Sequence, residues 1–507
     1  MGSKIEAFTV QMELLDAASD GRAVGRHEGW AVFVEGGVPG DIAEVQIYRK
    51  ESKALVGRLA RLVTPSPHRI TPACGHFGDC GGCKWQHMSY EAQIKYKEAQ
   101  VVNILRRIGK IEIGEALPIL GVEHPYYYRN KLEFTFGVKP WVTKRDKEAG
   151  IAYTSDIRVL GYNAPKFFDK VLNIDECLLQ TPLVNEIRNE LLRFCRQEEI
   201  TFYNLREHAG LMRNVVFRTS ASTGEVMIIL IVNEMNEELI DKIFGNLESK
   251  FPQITQFIWI HNHKYNSVYS DLPYRVWKGT PYYTEYLDQY QFRIRPTSFF
   301  QTNPRQARVL YDVVRNFLRE SLPEGRDRFG TVYDLYAGTG SIGMYVSELT
   351  EKIVGVEYVA SAVKDAWENV RLNELEESRF SFYAGDMKDI LTSELVNKEG
   401  HPEVIITDPP RQGMDPRVVM KILDLKPDYV IYVSCKPATQ ARDIYMMGVW
   451  YEVLKIQPVD MFPHTAHVEN VALLKRRPAA KEQVEVDIKD WNHIGETPEI
   501  TEEEGMA

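Results

Sequence analysis

The chain has 507 residues, of which 44% are hydrophobic and 26% charged, a composition typical of a folded protein with several domains. Apolar runs such as Val226–Val232 are too short to cross a bilayer and no apolar segment follows Met1, so we expect a cytoplasmic protein without a membrane anchor or secretion signal. The net charge of −10 argues weakly against a nucleic-acid partner, but nine acidic residues and two lysines lie after residue 480, so the rest is close to neutral.

The first 66 residues alternate apolar and polar positions and contain frequent glycines. Strand-like runs flank the turn signal "GGVPGD", and short strands at close spacing indicate a small β-barrel over residues 1–66. The basic stretches "YRKESK" and "GRLARL" are compatible with RNA binding, although a barrel without a ligand explains this segment equally well.

A loop-rich segment follows and contains three of the six cysteines. Cys74, Cys80 and Cys83 are spaced C-x5-C-x2-C, and Cys177 is a candidate fourth ligand. In a cytosolic chain this spacing favours a metal site over disulfides. Four thiolates suit either zinc or a [4Fe–4S] cluster, and the spacing alone does not decide between them. Cys195 lies in a helical pattern and is assigned to packing.

The pattern predicts a mixed α+β central domain over residues 67–292. Aromatic residues alternate with cations in "YYYRNKLEFTF" and "NLREHAGLMRNVVFRTS". Such runs are typical of sheet faces on which aromatic rings stack on RNA bases while Arg or Lys contacts phosphate. An ordinary antiparallel sheet with a polar outer face is the simpler alternative.

From about residue 295 strand-like runs alternate with helical segments. This alternation predicts a doubly wound, Rossmann-like α/β domain over residues 293–478, followed by an acidic tail over 479–507. Its first strand leads into "DLYAGTGSIG", whose glycines at 338, 340 and 343 allow the backbone to approach a ligand. Because no lysine follows to meet a phosphate, the loop favours S-adenosylmethionine over ATP, and NAD remains open.

Acidic residues follow the next three predicted strands of this domain. Glu357 comes 19 residues after Gly338, close to the spacing of a carboxylate that binds ribose. Asp386 is placed to meet an adenine amino group, and Asp408 begins the rigid turn "DPPRQG". Because the carboxyl ends of parallel strands border the ligand crevice, these acids predict an adenosine pocket, with helix capping as the alternative.

Cys435 ends the next apolar strand, in "YVSCK", and is predicted to face the same crevice. A free cysteine is most often a packing residue, but a thiol beside a methyl-donor pocket is a candidate nucleophile. Downstream, His464, His467 and Glu469 precede the last apolar strand and suggest acid–base chemistry. A zinc site formed by these three residues is the alternative, although this is not a familiar ligand set outside a helix.

Taken together, these segments resemble the RNA uracil-5-methyltransferases, which make 5-methyluridine in ribosomal and transfer RNA. The matching segments cover nearly the whole chain before the tail and include "FFQTNPRQARVLYD", "DLYAGTGSIG", "DPPRQGM", "YVSCKPATQARD" and "FPHTAHVENVALL". The N-terminal barrel is similar to a TRAM module, an OB-like RNA-binding domain, with "GRAVGRHEGWAVFVEGGVPGD" as its signature.

The resemblance implies a covalent mechanism. The Cys435 thiolate attacks C6 of the uracil, C5 takes the methyl group of S-adenosylmethionine, and Glu469 removes the C5 proton before the thiol is eliminated. The target base must leave its stack to reach the thiol, which implies flipped or loop RNA. This chain has Lys436 where the family commonly has Asn, and a cation there would lower the pKa of the thiol unless it points to solvent.

By the same resemblance, seven residues hold the methyl donor: Gln301, Tyr336, Gly338, Ser341, Glu357, Asp386 and Asp408. Asp408 is also similar to a residue that contacts the target uracil, and Arg411 supports the crevice. The four cysteines at 74, 80, 83 and 177 would carry a [4Fe–4S] cluster, with zinc as the alternative. Its role would be structural or RNA-orienting, because methyl transfer requires no electron.

We expect a monomer that acts on 23S ribosomal RNA, with a T-loop uridine of transfer RNA as the alternative. A radical or redox enzyme would favour the compact C-x3-C-x2-C motif, which this chain lacks. The segment "SCK" is not the Pro-Cys loop of a cytosine-C5 enzyme. Cys435 and Glu469 argue against a catalytically silent RNA-binding protein.

Overall fold

The computed structural model describes residues 3–150, 158–165 and 167–479. The predicted acidic tail over 479–507 lies outside the described residues except for Ala479. Within the described ranges, no helix combines the length and the apolar character needed to span a membrane.

Five strands at the N-terminus pair in the order β1-β2-β3-β5-β4 and form a closed barrel. Their ranges are β1 Ser3–Ala17, β2 Ala23–His27, β3 Trp30–Glu35, β4 Ile42–Lys50 and β5 Ala54–Thr64. Alternate residues such as Leu14, Val32, Val45 and Ile47 are fully buried inside the barrel, which is the burial expected of amphipathic strands.

Helix α1 (Tyr90–Asn103) follows the cysteine-containing loop and begins where the Ser89 hydroxyl accepts the Ala92 N–H. It continues into a π-helical turn over Ile104–Ile108. Strand β6 (Ile113–Ala116) then joins the distant C-terminal sheet, where it pairs in parallel with a strand near the end of the chain.

The central segment forms a seven-stranded sheet in the order β13-β12-β11-β10-β7-β8-β9. Its strands are β7 Lys131–Gly137, β8 Val159–Asn163, β9 Val171–Asn173, β10 Met212–Thr219, β11 Val226–Val232, β12 Gln256–His261 and β13 Tyr274–Lys278. Its helices are α2 Lys144–Glu148, α3 Pro182–Gln197 and α4 Glu237–Lys250. The buried faces of α3 and α4 pack on this sheet in one hydrophobic core. A hairpin of β14 (Tyr283–Leu287) and β15 (Tyr290–Ile294) follows.

The C-terminal sheet has eight strands in the order β18-β17-β16-β19-β20-β22-β21-β6. Its remaining strands are β16 Phe329–Leu335, β17 Thr350–Glu357, β18 Phe380–Ala384, β19 Val404–Thr407, β20 Tyr429–Ser434, β21 Tyr451–Val459 and β22 Glu469–Arg476. The helices between them are α5 Pro304–Glu320, α6 Ser341–Tyr345, α7 Ala360–Leu372, α8 Met387–Ile390, α9 Ser393–Glu399, α10 Pro416–Leu425 and α11 Pro437–Met447. Short 3₁₀ turns occupy Ser347–Leu349 and Glu377–Arg379.

Strands β16 to β20 are parallel, so the predicted doubly wound α/β arrangement of this part of the chain is confirmed. Strand β22 is inserted antiparallel between β20 and β21. Because the parallel strands all point the same way, their carboxyl ends meet at one edge of the sheet, where ligands bind in such folds. The predicted domain boundaries at residues 66, 292 and 478 remain predictions.

Candidate active site

The glycine loop after β16 has a backbone that only glycine adopts without strain at two positions. Gly338 has φ of 55° and Gly340 has φ of 76°. The Gly338 N–H donates to Glu357 Oε2 at 3.0 Å, and the Gly343 N–H donates to Asp334 Oδ2 at 2.9 Å. The loop is therefore tied to the ends of β16 and β17, and it leaves open space on the outer side of Gly338.

Two acids predicted to hold the methyl donor end neighbouring strands. Glu357 accepts the N–H groups of Gly338 and Val359 through different oxygens, so each oxygen keeps a lone pair for a ribose hydroxyl. Asp386 caps α8, and its carboxylate lies 2.6 Å from the Lys388 ammonium, a contact that lowers the pKa of the acid. An adenine amino group would have to share that carboxylate with Lys388.

Three further predicted donor residues lie around the same loop. Tyr336 directly follows β16 with φ of 62°, and burial raises the pKa of its phenol. The Ser341 hydroxyl lies 2.9 Å from the Tyr311 hydroxyl, which fixes the start of α6. Gln301 is 8% exposed, and its backbone carbonyl accepts the Asn130 side-chain N–H at 3.1 Å.

Cys435 and Glu469 are brought side by side by the pairing of β20 with β22. The register pairs Ser434 with Asn470, so the next position along the antiparallel ladder places Cys435 opposite Glu469. Glu469 is 4% exposed, and burial together with Asp408 raises the pKa of its carboxyl group well above the ordinary value. Burial, Glu469 and Asp408 raise the pKa of the Cys435 thiol to about 11.

The turn after β19 supplies an acid and a cation to the same place. Burial raises the pKa of Asp408 to about 7. Arg411 opposes the effect of the acids on both Cys435 and Glu469, and its Nη2 lies 2.7 Å from Nδ1 of His467. The crevice therefore holds a thiol, two carboxyl groups that favour the protonated form, and one guanidinium.

The structure separates the two histidines that the sequence placed together. His464 is 2% exposed, its backbone N–H donates to Gln93 Oε1 at 2.9 Å, and its ring packs on Tyr126. His467 instead contacts Arg411. A zinc site of His464, His467 and Glu469 is not formed, since no group of three or more metal-ligating side chains in the described ranges is placed to hold an ion.

The four predicted cluster cysteines lie within electrostatic range of one another. Burial raises the pKa of Cys83 to about 12, with smaller contributions from Cys80, Cys177 and Cys74. Their sulfur atoms accept three hydrogen bonds, from the Gly82 N–H at 3.3 Å, from Gln86 Nε2 at 3.3 Å and from the Tyr162 hydroxyl at 3.8 Å. These donors suit thiolate ligands, but among the described residues the side chains are not close enough to hold a metal ion as they stand.

Two other sequence assignments concern single residues. Cys195 lies on α3 and is 0% exposed in the core between this helix and the sheet, as expected for a packing cysteine. Lys436 is exposed and forms the N-cap of α11. Its exposure favours the solvent-facing interpretation.

Sequence reasoning missed two buried acids, Asp443 and Asp334, whose hydrogen bonds fix the loops of the site. Asp443 is 0% exposed and accepts the Met414 N–H at 2.8 Å and the Tyr432 hydroxyl at 2.6 Å, which fixes the turn carrying Arg411. Asp334 is 1% exposed and anchors the glycine loop. For Asp334 the signal available in the sequence was a carboxylate inside the apolar run "TVYDLY", because such groups are rarely buried without a partner.

Comparisons with known proteins agree with this arrangement. The family model of tRNA (uracil-5-)-methyltransferases matches residues 286–477. An uncharacterized RNA methyltransferase of Bacteroides thetaiotaomicron is 44% identical over 463 residues, covering 91% of this chain and 100% of its own. A second, from Porphyromonas gingivalis, is 42% identical over 471 residues, covering 92% and 99% of the two chains.

A solved structure has the same fold over nearly the whole chain. It is the tRNA (uracil-54, C5)-methyltransferase of Pyrococcus abyssi in complex with S-adenosyl-L-homocysteine, with a TM-score of 0.68 and 27% identity. The match covers 92% of this chain and 100% of that one. The predicted methyltransferase fold is thereby confirmed, and the chain belongs to the RNA (uracil-5-)-methyltransferase family, whose members depend on S-adenosylmethionine.

Proposed function

We propose that the protein methylates C5 of a uridine in 23S ribosomal RNA through a covalent adduct between Cys435 and C6. The observation that carries this proposal is the pairing of β20 with β22, whose register, extended by one residue, sets a thiol opposite a buried carboxyl group that acts on it, at the ligand edge of the sheet. Uracil C5 is a weak nucleophile, and addition of a thiolate at C6 turns the ring into an enolate that reacts at C5.

The methyl donor supplies a methyl group on a positively charged sulfur. We assign its ribose to Glu357 and its adenine side to Asp386, with Gly338 and Ser341 along the loop. Gln301, Tyr336 and Asp408 complete the predicted set. The open space outside Gly338 and the free lone pairs of Glu357 support this assignment.

We assign the bond-making and proton-transfer steps to Cys435 and Glu469, which lie opposite each other. Cys435 would attack C6 as a thiolate, C5 would take the methyl group as its bond to the sulfonium sulfur breaks and a neutral thioether leaves, and the Glu469 carboxylate would accept the proton that C5 must lose. The C6–S bond then breaks, and the electron pair returns to sulfur. A carboxyl group whose pKa is raised is a stronger base than an exposed glutamate, which suits removal of a carbon-bound proton.

A uridine in the T-loop of transfer RNA is the second candidate target. The observation in its favour is the likeness to the Pyrococcus abyssi enzyme, which is named as a tRNA (uracil-54, C5)-methyltransferase. The deciding experiment is mass-spectrometric mapping of 5-methyluridine in ribosomal and transfer RNA from cells with and without the gene. Loss of the nucleoside from 23S RNA supports the first target, loss from transfer RNA the second, and loss from neither refutes both.

For the cysteine group we propose a [4Fe–4S] cluster with a structural or RNA-orienting role. The electrostatic effects of Cys80, Cys177 and Cys74 on Cys83 and the hydrogen bonds to three of the four sulfurs support it, and ligation would require the sulfurs to draw closer together. Iron and sulfide analysis of protein purified without oxygen tests this, with Cys83→Ala as the variant that loses iron and Cys195→Ala as the matched control. Zinc in place of iron would favour the alternative.

The N-terminal barrel is proposed to be a TRAM-like RNA-binding module, and the protein is proposed to act as a monomer. Two cations of the barrel lie over aromatic rings: Lys50 Nζ is 4.1 Å from the centroid of the Trp30 ring, and Arg22 Cζ is 4.5 Å from the centroid of the Phe33 ring. Such cation–aromatic pairs are common on surfaces that bind single-stranded RNA. Truncation before residue 67 is expected to weaken RNA binding without removing cofactor binding.

A further inference from the structure

Beside the crevice lie two cations that no described carboxylate neutralises by contact. Lys131 is the first residue of β7, is partly buried, and forms no ion pair within the described part of the chain. Arg129 has a buried Nε without a hydrogen-bond partner, and its guanidinium lies 5.9 Å from the Phe462 ring. Both belong to the "YYYRNK" segment in which aromatic residues and cations alternate.

The sheet register makes this concentration of positive charge costly. Lys131 pairs directly with Arg218 across the antiparallel β7–β10 ladder, and like charges in that position destabilise a sheet. Arg218 is 2% exposed, donates to the Ser298 carbonyl at 2.7 Å and keeps its Nε unpartnered. Burial and Arg218 lower the pKa of Lys131 to about 8; Glu133 opposes them, and Arg129 adds a smaller lowering effect.

The same cations lie next to the residues of the active site. Asn130, between Arg129 and Lys131, donates its side-chain N–H to the Gln301 carbonyl at 3.1 Å and its backbone N–H to the Thr302 carbonyl at 2.9 Å. On the other side, Arg129 and Arg411 are both close enough to act on the His467 imidazole. The segment of Arg129 and Lys131 is therefore tied to the segment of Gln301, and Arg129 lies within electrostatic range of the same imidazole as Arg411; these cations are called the basic rim.

We infer that Arg129 and Lys131, together with Arg411, bind a phosphodiester group of the RNA strand next to the target uridine. The identity of the ligand as RNA rests on the proposed function. A nucleotide that leaves its stack swings about its own backbone, so the flanking phosphates must be held for the base to stay in the crevice. A phosphate of the substrate would also offset the repulsion between Lys131 and Arg218, which face each other across the β7–β10 ladder.

The test compares the wild-type protein with the double variant Arg129→Gln, Lys131→Gln. Binding of a short fluorescein-labelled oligouridine is followed by anisotropy at several salt concentrations. We expect the double variant to bind about tenfold more weakly at low salt, and the slope of log affinity against log salt to fall by about 0.7 for each lost phosphate contact. Removing Lys131 also relieves its repulsion with Arg218, so the melting temperature should stay equal or rise.

The matched control is Lys264→Gln, which removes a partly buried cation that already pairs with Asp271 at 2.7 Å. It should leave both affinity and slope unchanged. Weaker binding with an unchanged slope, or a variant equal to wild type, would overturn the phosphate site. So would a parallel loss of S-adenosylmethionine affinity, which would assign the rim to the carboxylate of the donor. Failure of wild-type protein to methylate any RNA would refute the proposed function while leaving the salt-slope result intact.

Discussion

The ion pair between Lys97 and Asp460 joins helix α1 to the segment that leads into Glu469. Lys97 Nζ lies 2.6 Å from Asp460 Oδ1 and donates to the Phe462 carbonyl at 3.0 Å, and both charged side chains are 0% exposed. The Tyr90 hydroxyl donates to the other carboxylate oxygen at 2.9 Å. The substitution Lys97→Met keeps an unbranched side chain, one atom shorter, and removes the charge.

The variant leaves a buried carboxylate with neutral donors only, from Tyr90 and the Phe462 N–H. Breaking one side of a buried pair costs about 3–5 kcal/mol, because the remaining charge stays out of water without a counterion. Since the loss is local, hydrogen–deuterium exchange is the direct assay: about 3 kcal/mol corresponds to more than a hundredfold faster exchange of amides that open with this contact. We expect this acceleration in peptides covering α1 and residues 459–469.

Two comparisons make the result decisive. The double variant Lys97→Met, Asp460→Asn removes both charges and should recover much of the protection, because an uncharged pair carries a far smaller desolvation cost. Lys250→Met breaks an exposed pair with Glu190 and should change exchange little. Wild-type exchange in α1 and residues 459–469 of the single variant would show that this pair does not hold the segment, and the reasoning would fail.

Three further predictions concern the active site. Cys435→Ala should abolish methyl transfer while calorimetry shows near-normal binding of S-adenosylmethionine; retained turnover would refute the nucleophile. Glu469→Gln should accumulate a covalent RNA adduct, seen as a slower gel band, and slow turnover with no band would argue against its role. Because the pKa of Cys435 is raised to about 11, about one thiol in a thousand is ionised at pH 8, so iodoacetamide should react slowly there and faster as pH rises towards 11, and a rate that levels off below pH 9 would contradict this.

The sequence predicted those parts of the site that depend on local order. Glycines at 338 and 340 occupy the positive-φ positions of the loop, and Glu357 ends the next strand within reach of Gly338. Cys435 follows the last residue of β20. In each case the functional residue lies at or just after the end of an apolar strand. Because the strands are parallel, these residues lie at the same edge of the sheet.

Contacts between distant segments had no comparable signal. Lys97 and Asp460 are separated by 363 positions, and their pairing depends on how α1 packs against the segment after β21. Strand β6 joins the C-terminal sheet although it precedes the whole central sheet in the chain. The facing of Cys435 and Glu469 likewise depends on β22 entering antiparallel between two other strands, which neither local pattern reveals.

The charges around Cys435 predict that the reactivity of its thiol depends on what occupies the crevice. Asp408 and Glu469 both disfavour the thiolate, and Arg411 is the cation that opposes them. A positively charged sulfonium in the crevice would act in the same direction as Arg411. Because burial, Glu469 and Asp408 raise the pKa of Cys435 to about 11, we expect the thiol to be mostly protonated at neutral pH in the empty crevice. We expect a bound sulfonium to lower that pKa, because its positive charge favours the thiolate.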